Sequence, residues 1–288
     1  MSNRINMKRR DFLKTLTTGL IVGGFAPEVL AKLTTSTHSE TEDNYDDYVK
    51  DYLHKIKYFN QPHKDDVYLG YKNYQLLTSS VKRLKRLQRT VGHGNFYLLS
   101  YDEAIKFARN YCSVGNFTRA ELDFLEMIFY EDGAFYGFFG EKPLKNLTAQ
   151  VPKREVVKIP SMRNYLYKGR PLETYKKVKQ EIGDQLILTS GIRSIIKQLL
   201  LFLNKAYRSN GNLSLASRSL APPGYSYHGV GDFDVGQVGF GVDNFTERFV
   251  TTKVYKQLKS LGYLNLRYVQ DNTLGVRFEP WHIKVTLS

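Results

Sequence analysis

The chain has 288 residues, 42% of them hydrophobic and 24% charged, which excludes the disordered and collagen-like classes and indicates a globular protein. Its formal net charge of +14 favours an anionic polymer as partner. Because Cys112 is the only cysteine in the sequence, a disulfide framework and a cysteine-ligated zinc site are excluded, and any metal must be held by His, Asp and Glu.

The first 31 residues have the pattern of an export signal. A basic segment containing Arg4 precedes a short apolar segment at 16–25, and small residues lead to a cleavage position at Ala31. Residues 8–14 (KRRDFLK) resemble the twin-arginine signal. The apolar segment is shorter than the ~20 residues that a membrane span requires. We therefore expect a periplasmic protein, exported by the twin-arginine route, with no stable membrane span after cleavage.

Export changes the interpretation of the positive charge. A basic surface usually indicates nucleic acid, but an exported protein meets little of it. Peptidoglycan stem peptides and anionic envelope polymers are the expected partners, and nucleic acid is not. The alternative is a solvated basic surface without a partner.

Residues 32–152 predict a helical N-terminal region. Two capping boxes, Ser-x-x-Glu at Ser100 and Thr-x-x-Glu at Thr118, precede apolar helical patterns over 104–111 and 122–130. These patterns are typical of helices that pack into a core, and nothing in this region indicates chemistry.

Residues 153–288 alternate short strands with helices. The predicted helices cover 171–183, 194–207 and 251–261, and the predicted strands cover 185–189, 212–217, 264–269, 275–278 and 283–287. Because these elements lack a regular βαβ rhythm, the predicted fold class is α+β.

Residues 221–236 (APPGYSYHGVGDFDVG) contain a candidate metal site. One histidine, His228, stands close in sequence to two aspartates, Asp232 and Asp234. A lone histidine is more often structural than a ligand, so a metal requires the chain geometry to bring an aspartate to it. At this point the ligand is either aspartate, and an ordinary polar loop is the alternative.

Distance is the test of that site. In an extended strand His228 and Asp234 would lie roughly 20 Å apart, whereas zinc bonds its ligands at about 2 Å. The chain must therefore double back between them. Gly229 and Gly231 give the backbone the conformational freedom for such a turn.

Residues 278–282 (FEPWH) contain the second candidate. Glu279 is a possible general base and His282 a third metal ligand, which would leave one position for water, as a catalytic zinc requires. Pro280 predicts a bend that brings Glu279 to the metal side. A strand-edge Pro-Trp pair beside a surface glutamate is an equally good interpretation of the spacing.

Together these stretches resemble the VanY-type D-alanyl-D-alanine carboxypeptidases, within the wider zinc peptidase group that includes lysostaphin-like enzymes and hedgehog domains. The resemblance lies within residues 153–288 and implies a small antiparallel sheet with flanking helices, here preceded by the helical region. Three motifs in the family's order carry it: the stretch 189–194 (TSGIRS) with Gln198, Ser226-x-His228-x-x-Gly231-x-x-Asp234, and Glu279-Pro280-Trp281-His282.

The resemblance implies a role for each matching residue. Zinc would be held by His228, Asp234 and His282. Glu279 would take a proton from the attacking water and pass it to the leaving amine. Arg193 would bind or polarise the substrate carbonyl or terminal carboxylate, for which a guanidinium group is well shaped.

Two further residues gain roles, and two depart from the family pattern. Ser226 would hydrogen-bond the peptide near the metal, and Trp281 would lie beside the site as a substrate contact. The loop between histidine and aspartate is one residue shorter than usual, and Asp232 stands where alanine is frequent, so Asp232 stays an alternative ligand or an outer partner. Ile192 replaces the usual tyrosine.

The expected function is hydrolysis of peptidoglycan stem peptides by an exported zinc metallopeptidase, with the terminal D-Ala-D-Ala bond as the first choice. An L,D-carboxypeptidase and a peptidoglycan endopeptidase are the alternatives among enzymes. A non-catalytic cell-wall binding protein with a structural metal site is the alternative from another class.

Overall fold

The computed structural model describes residues 49–160 and 163–285, so the expected signal segment lies outside the described residues. The chain divides into two units, Met1–Tyr58 and Phe59–Ser288. In the first unit, residues 49–57 are helical. No helix among the described residues has the length and apolar character to cross a membrane.

The second unit combines helices with two small sheets. Its α-helices are α1 (Tyr71–Val91), α2 (His93–Phe96), α3 (Tyr101–Asn110), α4 (Arg119–Tyr130), α5 (Arg170–Ile182), α6 (Ile195–Arg208), α7 (Leu213–Ser219) and α8 (Lys253–Ser260). Its strands are β1 (Val156–Lys158), β2 (Tyr165–Tyr167), β3 (Leu186–Ser190), β4 (Phe233–Gln237) and β5 (His282–Ile283). Both sheets are antiparallel, with the orders β1-β2 and β3-β4-β5.

The two predicted capping boxes are confirmed. Ser100 accepts a hydrogen bond from the backbone of Glu103, whose carboxylate accepts one in return, and α3 begins at the next residue. Thr118 and Glu121 form the same reciprocal pair at the start of α4. Each box satisfies two backbone groups that the first helical turn leaves without partners.

The largest apolar core joins the helical region to the second half of the chain. Leu77 and Leu84 on α1, Leu125 on α4, and Leu199 and Phe202 on α6 are all buried in it. Residues on both sides of position 152 therefore share one core, and the predicted domain boundary there stays a prediction.

The three-stranded sheet lies over a second core and carries residues of the candidate site. Phe233 and Val235 on β4 point into this core with Val254 and Leu258 of α8 and Tyr175 of α5. The alternation of side chains along β4 turns the intervening residue, Asp234, to the other face. The predicted α+β class, with a small antiparallel sheet and flanking helices, is confirmed.

One predicted strand is a helix. Residues 212–217 were expected to be extended, but Leu213–Ser219 forms α7. The side chain of Asn212 accepts a hydrogen bond from the backbone of Leu215, which is an N-cap. Every residue of α7 is buried, so the sequence shows no polar face from which the helical period can be recognised.

Three other strand predictions differ from the structure, and the strands β1, β2 and β4 were not predicted. Residues 264–269 contain a single bridge from Leu266 to Ile283, and 275–278 are irregular. Of the last predicted strand, 283–287, the structure describes residues up to 285, and among these β5 ends at Ile283. Strand β4 was not predicted, because its Gly and Asp residues disfavour strands in isolation.

Candidate metal centre

Three side chains from the two candidate stretches meet in the structure. Nε2 of His228 lies 3.2 Å from Oδ1 of Asp234, and Nδ1 of His282 lies 3.1 Å from the same oxygen. All three residues are buried, with at most 2% of their surfaces exposed. The three ligand atoms lie within 4.8 Å of one another.

The same three atoms have no hydrogen-bond partner among the described residues. Buried polar atoms are normally satisfied, so three convergent orphans indicate a missing cation rather than poor packing. A tetrahedral ion with ligands at ~2.0 Å has ligand–ligand edges of about 3.3 Å, close to the two shortest distances here. The donor set of two imidazoles and one carboxylate therefore fits a zinc-type ion with one open position.

A tight turn brings the histidine to the aspartate. Residues Tyr227–Gly229 form a 3-10 helix, and the backbone N–H groups of Gly231 and Asp232 both donate to the carbonyl of Tyr227. Gly231 has φ of 134°, which a residue with a Cβ rarely adopts. The expected reversal of the chain is confirmed. Gly229 serves it through close packing, because a Cβ there would approach Leu144 to 2.4 Å.

Sheet register places the other two ligands. In the antiparallel pairing of β4 with β5, Asp234 lies directly opposite His282. Directly opposed residues present their side chains on the same face of a sheet. On its other side Asp234 pairs with Ser190, at the end of β3, where the register shifts.

Glu279 reaches the cluster through a bend at Pro280. The backbone N–H of His282 donates to the carbonyl of Glu279, which closes a four-residue turn with proline in its second position. Oε2 of Glu279 lies 3.8 Å from Nδ1 of His282. Burial raises the pKa of Glu279 above its ordinary value, against the opposing charges of Arg277 and His282.

Asp232 lies outside the three-ligand cluster. Its Oδ2 accepts a hydrogen bond from Nε2 of His282 at 3.0 Å, on the side of the ring that faces away from Asp234. The carboxylate also accepts bonds from Arg267 and from the backbone of Val285. These contacts make Asp232 an outer partner that orients a ligand, the second of the two roles left open by the sequence.

The other histidine has a backbone partner in the equivalent position. Nδ1 of His228 lies 2.7 Å from the carbonyl oxygen of Gly191, so that this nitrogen is the donor and Nε2 is free to bind a cation. Gly191 is required by packing: a Cβ there would lie 2.0 Å from the carbonyl oxygen of Tyr165.

The two imidazoles titrate in opposite directions. Burial and the charge of Arg193 lower the pKa of His228 to about 4, so the ring is neutral at pH 7. Burial also acts to lower the pKa of His282, but the carboxylates of Asp232 and Asp234 outweigh it and raise the value to about 9. A metal ion bound through Nδ1 displaces that proton.

Arg193 lies at the edge of the cluster. Its Nη2 donates to Oδ2 of Asp234 at 2.6 Å, and its Nε donates to the hydroxyl of Ser190 at 2.9 Å. Gln198 fixes the loop behind it, because its amide donates to the carbonyl of Arg193 and accepts from the backbone N–H of Gly224.

The remaining sequence-predicted residues differ in their exposure. The side chain of Ser226, whose residue is 7% exposed, makes no capping bond in the helix that follows it. Trp281 is 3% exposed and packs against Phe245 and Arg277, so it supports the site and offers little surface to a substrate. Ile192 is buried beside Leu98 rather than facing the cluster.

Sequence reasoning missed the support that the helical region gives to the site. The backbone N–H of Ser194 donates to the carbonyl of Tyr97, and the hydroxyl of Ser194 donates to the carbonyl of Phe96. These bonds hold the segment that carries Arg193. They were not predictable because they use backbone carbonyls, which leave no trace in residue type. Arg267 was also missed, since a single arginine in a short apolar segment shows no pattern.

The segment that carries the candidate site is similar to a described family. The family model described as VanY, D-alanyl-D-alanine carboxypeptidase, matches residues 167–286. That segment contains every residue of the cluster. No curated protein matches the chain.

Solved structures give three similar chains. A structure of the LdcB LD-carboxypeptidase, described as showing peptidoglycan recognition, is 24% identical, with 44% of this chain and 61% of that chain covered and a TM-score of 0.36. A mutant of the D,D-pentapeptidase VanY from a VanB-type vancomycin resistance cassette, with Zn(II), is 25% identical over 46% of this chain and 80% of that chain, with a TM-score of 0.34. A structure of VanYB in complex with D-alanine-D-alanine is 26% identical, with 44% of this chain and 75% of that chain covered and a TM-score of 0.35.

Proposed function

We propose that this protein, whose residues 167–286 match the VanY family model, is a zinc-dependent carboxypeptidase that hydrolyses peptidoglycan stem peptides at a terminal D-Ala-D-Ala bond. The observation that carries the proposal is the convergence of three buried ligand atoms without partners beside a buried glutamate. A structural zinc site is normally closed by a fourth protein ligand. Among the described residues this cluster has three, which leaves a position for water.

The chain's own residues supply the acid–base chemistry. Bound zinc would act as a Lewis acid that lowers the pKa of a water molecule. Glu279 would accept the proton from that water and hand it to the leaving amine, and its raised pKa suits both steps. Arg193, held beside Asp234, would polarise the substrate carbonyl as negative charge develops on its oxygen.

The proposal that the protein is a peptidase has more support than the proposal of which bond it cuts. A peptidase is supported by the family and by the cluster, whereas the D,D bond is a choice within a group that includes L,D-carboxypeptidases and endopeptidases. A non-catalytic cell-wall binder is the alternative from another class. Burial of Glu279 next to the candidate ligands favours an enzyme, because burying a carboxylate lowers the stability of the fold, and a binder has no need of that carboxylate.

The proposed location is the periplasm, reached by the twin-arginine route. The support is the segment Lys8–Lys14 with its arginine pair, followed by the apolar residues 16–25. Fusion of residues 1–40 to a folded fluorescent reporter tests it: export should stop when both Arg9 and Arg10 are replaced by lysine. Export that survives this change would contradict the route.

Digestion of purified muropeptides, with mass spectrometry of the released fragment, tests the activity. The full chain should release D-alanine, and Glu279→Ala should retain zinc, measured by elemental analysis, yet lose about 10²–10⁴-fold in rate. Glu181→Ala is the matched control, because Glu181 is exposed and accepts a hydrogen bond from the surface residue Tyr263. Full activity of Glu279→Ala would sink the mechanism, and a zinc-loaded wild type that releases no fragment would favour the binder.

A further inference from the structure

The guanidinium group of Arg277 is largely buried, and its Nε has no hydrogen-bond partner among the described residues. It lies between the rings of Phe59 and Trp281, 4.8 Å from the centroid of each. Buried charged donors without acceptors are unfavourable, so they are rare unless a ligand completes them.

The chain satisfies its other buried arginines. Four arginines whose side chains are at most 15% exposed each donate to a carboxylate: Arg83 to Glu121, Arg193 to Asp234, Arg218 to Asp66, and Arg267 to Asp232. The side chain of Arg277, at 17% exposed, is buried to nearly the same degree, but the carboxylate beside it, that of Glu279, lies 3.9 Å from Nε, beyond hydrogen-bond distance. Its unsatisfied state is therefore not the general behaviour of arginines in this fold.

Arg277 also lies beside the proposed general base. Its Nε is 3.9 Å from Oε1 of Glu279, which is too long for a hydrogen bond, while Oε2 of Glu279 is 3.8 Å from the ligand His282. The Glu279 carboxylate thus stands between the metal cluster and the guanidinium group. Two aromatic rings contact the guanidinium, and its exposed part is the surface available to a planar anion.

We infer that Arg277 binds the terminal carboxylate of the peptide substrate and thereby restricts cleavage to the last residue of the chain. This inference rests on the proposed carboxypeptidase function and names the residue that recognises the end of the substrate. Arg193 keeps its proposed role at the substrate carbonyl, because its guanidinium group already donates to Asp234 and Ser190.

The spacing agrees with the covalent structure of the substrate. In a C-terminal residue the carboxylate and the amide nitrogen are attached to the same Cα, so their atoms lie about 3 Å apart. Glu279 delivers its proton to that nitrogen, and Arg277 stands 3.9 Å beyond the Glu279 carboxylate. One residue can therefore reach both groups, whereas an internal peptide bond offers no carboxylate at that distance.

Paired substrates test the inference. Two stem peptides ending in D-Ala-D-Ala, one with a free terminal carboxylate and one amidated, are incubated with the full zinc-loaded chain, and kcat/KM is measured from the released residue. The wild type should prefer the free acid by more than about 100-fold, since a charge-assisted bidentate contact is lost in the amide. In Arg277→Met the preference should fall to within a few-fold, and Arg277→Lys should lie between them. Arg248→Met, at an exposed arginine paired with Asp243, should keep the wild-type preference.

The outcomes separate the inference from the function beneath it. An unchanged acid-to-amide ratio in Arg277→Met, or equal cleavage of acid and amide by the wild type, overturns the role of Arg277 and leaves the peptidase standing. Cleavage of neither peptide, nor of muropeptides, by the zinc-loaded wild type overturns both. Because the acid–amide comparison in the wild type uses no variant, the test holds even if Arg277→Met folds poorly.

Discussion

Oδ2 of Asp232 lies 3.0 Å from Nε2 of His282. Nδ1 of the same ring lies 3.1 Å from Oδ1 of Asp234, the oxygen that belongs to the three-atom cluster. The two nitrogens of one imidazole thus face two carboxylates with different surroundings. Asp232 is fixed by Arg267 and by the backbone of Val285, so it can hold the ring in one orientation.

Removing that outer carboxylate should weaken metal binding without abolishing it. We expect Asp232→Asn to lower zinc affinity by about 10–100-fold, because the ring loses its orienting charge, whereas Asp234→Asn removes a ligand and should lower it further. Competition with a fluorescent chelator measures both. Equal affinities for Asp232→Asn and the wild type would contradict the outer role, and a larger loss at Asp232 than at Asp234 would exchange the two assignments.

Gly191 should be intolerant of any side chain. In Gly191→Ala the new Cβ would lie 2.0 Å from the carbonyl oxygen of Tyr165, so the backbone at residue 191 must shift. The carbonyl of residue 191 would move with it, and that carbonyl is the partner of Nδ1 of His228. We expect a loss of a few kcal/mol in the free energy of unfolding together with weaker zinc binding. Gly94→Ala is the control, since the nearest atom there lies 3.7 Å away. Similar midpoints of urea unfolding for the two variants would refute the steric argument.

Ser226 should act on substrate binding alone. Its hydroxyl makes no capping bond in the following turn, so Ser226→Ala should leave zinc content and melting temperature unchanged. Loss of one neutral hydrogen bond to the peptide should raise KM by about 2–10-fold. Ser260→Ala, at an exposed helix end, is the matched control. A KM equal to that of the wild type would remove Ser226 from the substrate contacts.

Lys197 gives a pH-dependent prediction outside the metal cluster. Burial, with a contribution from the Arg193 charge, lowers the pKa of Lys197 from 10.5 to about 8, and its ammonium group lies 4.7 Å from the ring of Tyr97. Below pH 8 the folded protein carries a buried charge that destabilises it. Between pH 8 and 10.5 the unfolded chain binds more protons than the folded one, so stability rises with pH.

Lys197→Met should therefore stabilise the protein at neutral pH and lose that advantage in alkali. We expect a gain of about 1–2 kcal/mol at pH 7, because relief of the buried charge is partly offset by the lost contact with Tyr97. Urea unfolding at pH 7, 9 and 10.5 measures the difference between variant and wild type. A difference that stays constant across these values would contradict the lowered pKa.

Local signals predicted much of the fold. Capping boxes at Ser100 and Thr118, and Pro171 near the start of α5 with Gly183 at its end, are determined within a few residues of the chain, so the sequence reveals them. Strand β4 and helix α7 were not recognised, because pairing partners and complete burial decide them, and neither is local.

The sequence predicted which residues form the candidate site, but not the individual contacts that these residues make. Glycine and proline showed where the chain turns, and the motif order indicated which side chains meet. The choice between Asp232 and Asp234 depended on the register of β4 with β5, which a single sequence does not encode locally. The unsatisfied guanidinium of Arg277 emerged only from three-dimensional packing.

The core shared by the helical region and the second half of the chain limits how this protein can be divided. Helix α6 follows directly after Arg193 and buries its apolar side chains against α1 and α4 of the helical region. A fragment that begins at residue 153 would leave that face of α6 in water, where it would aggregate. The helical region is therefore part of the frame that supports the candidate site, and transfer of that site to another protein must carry both parts together.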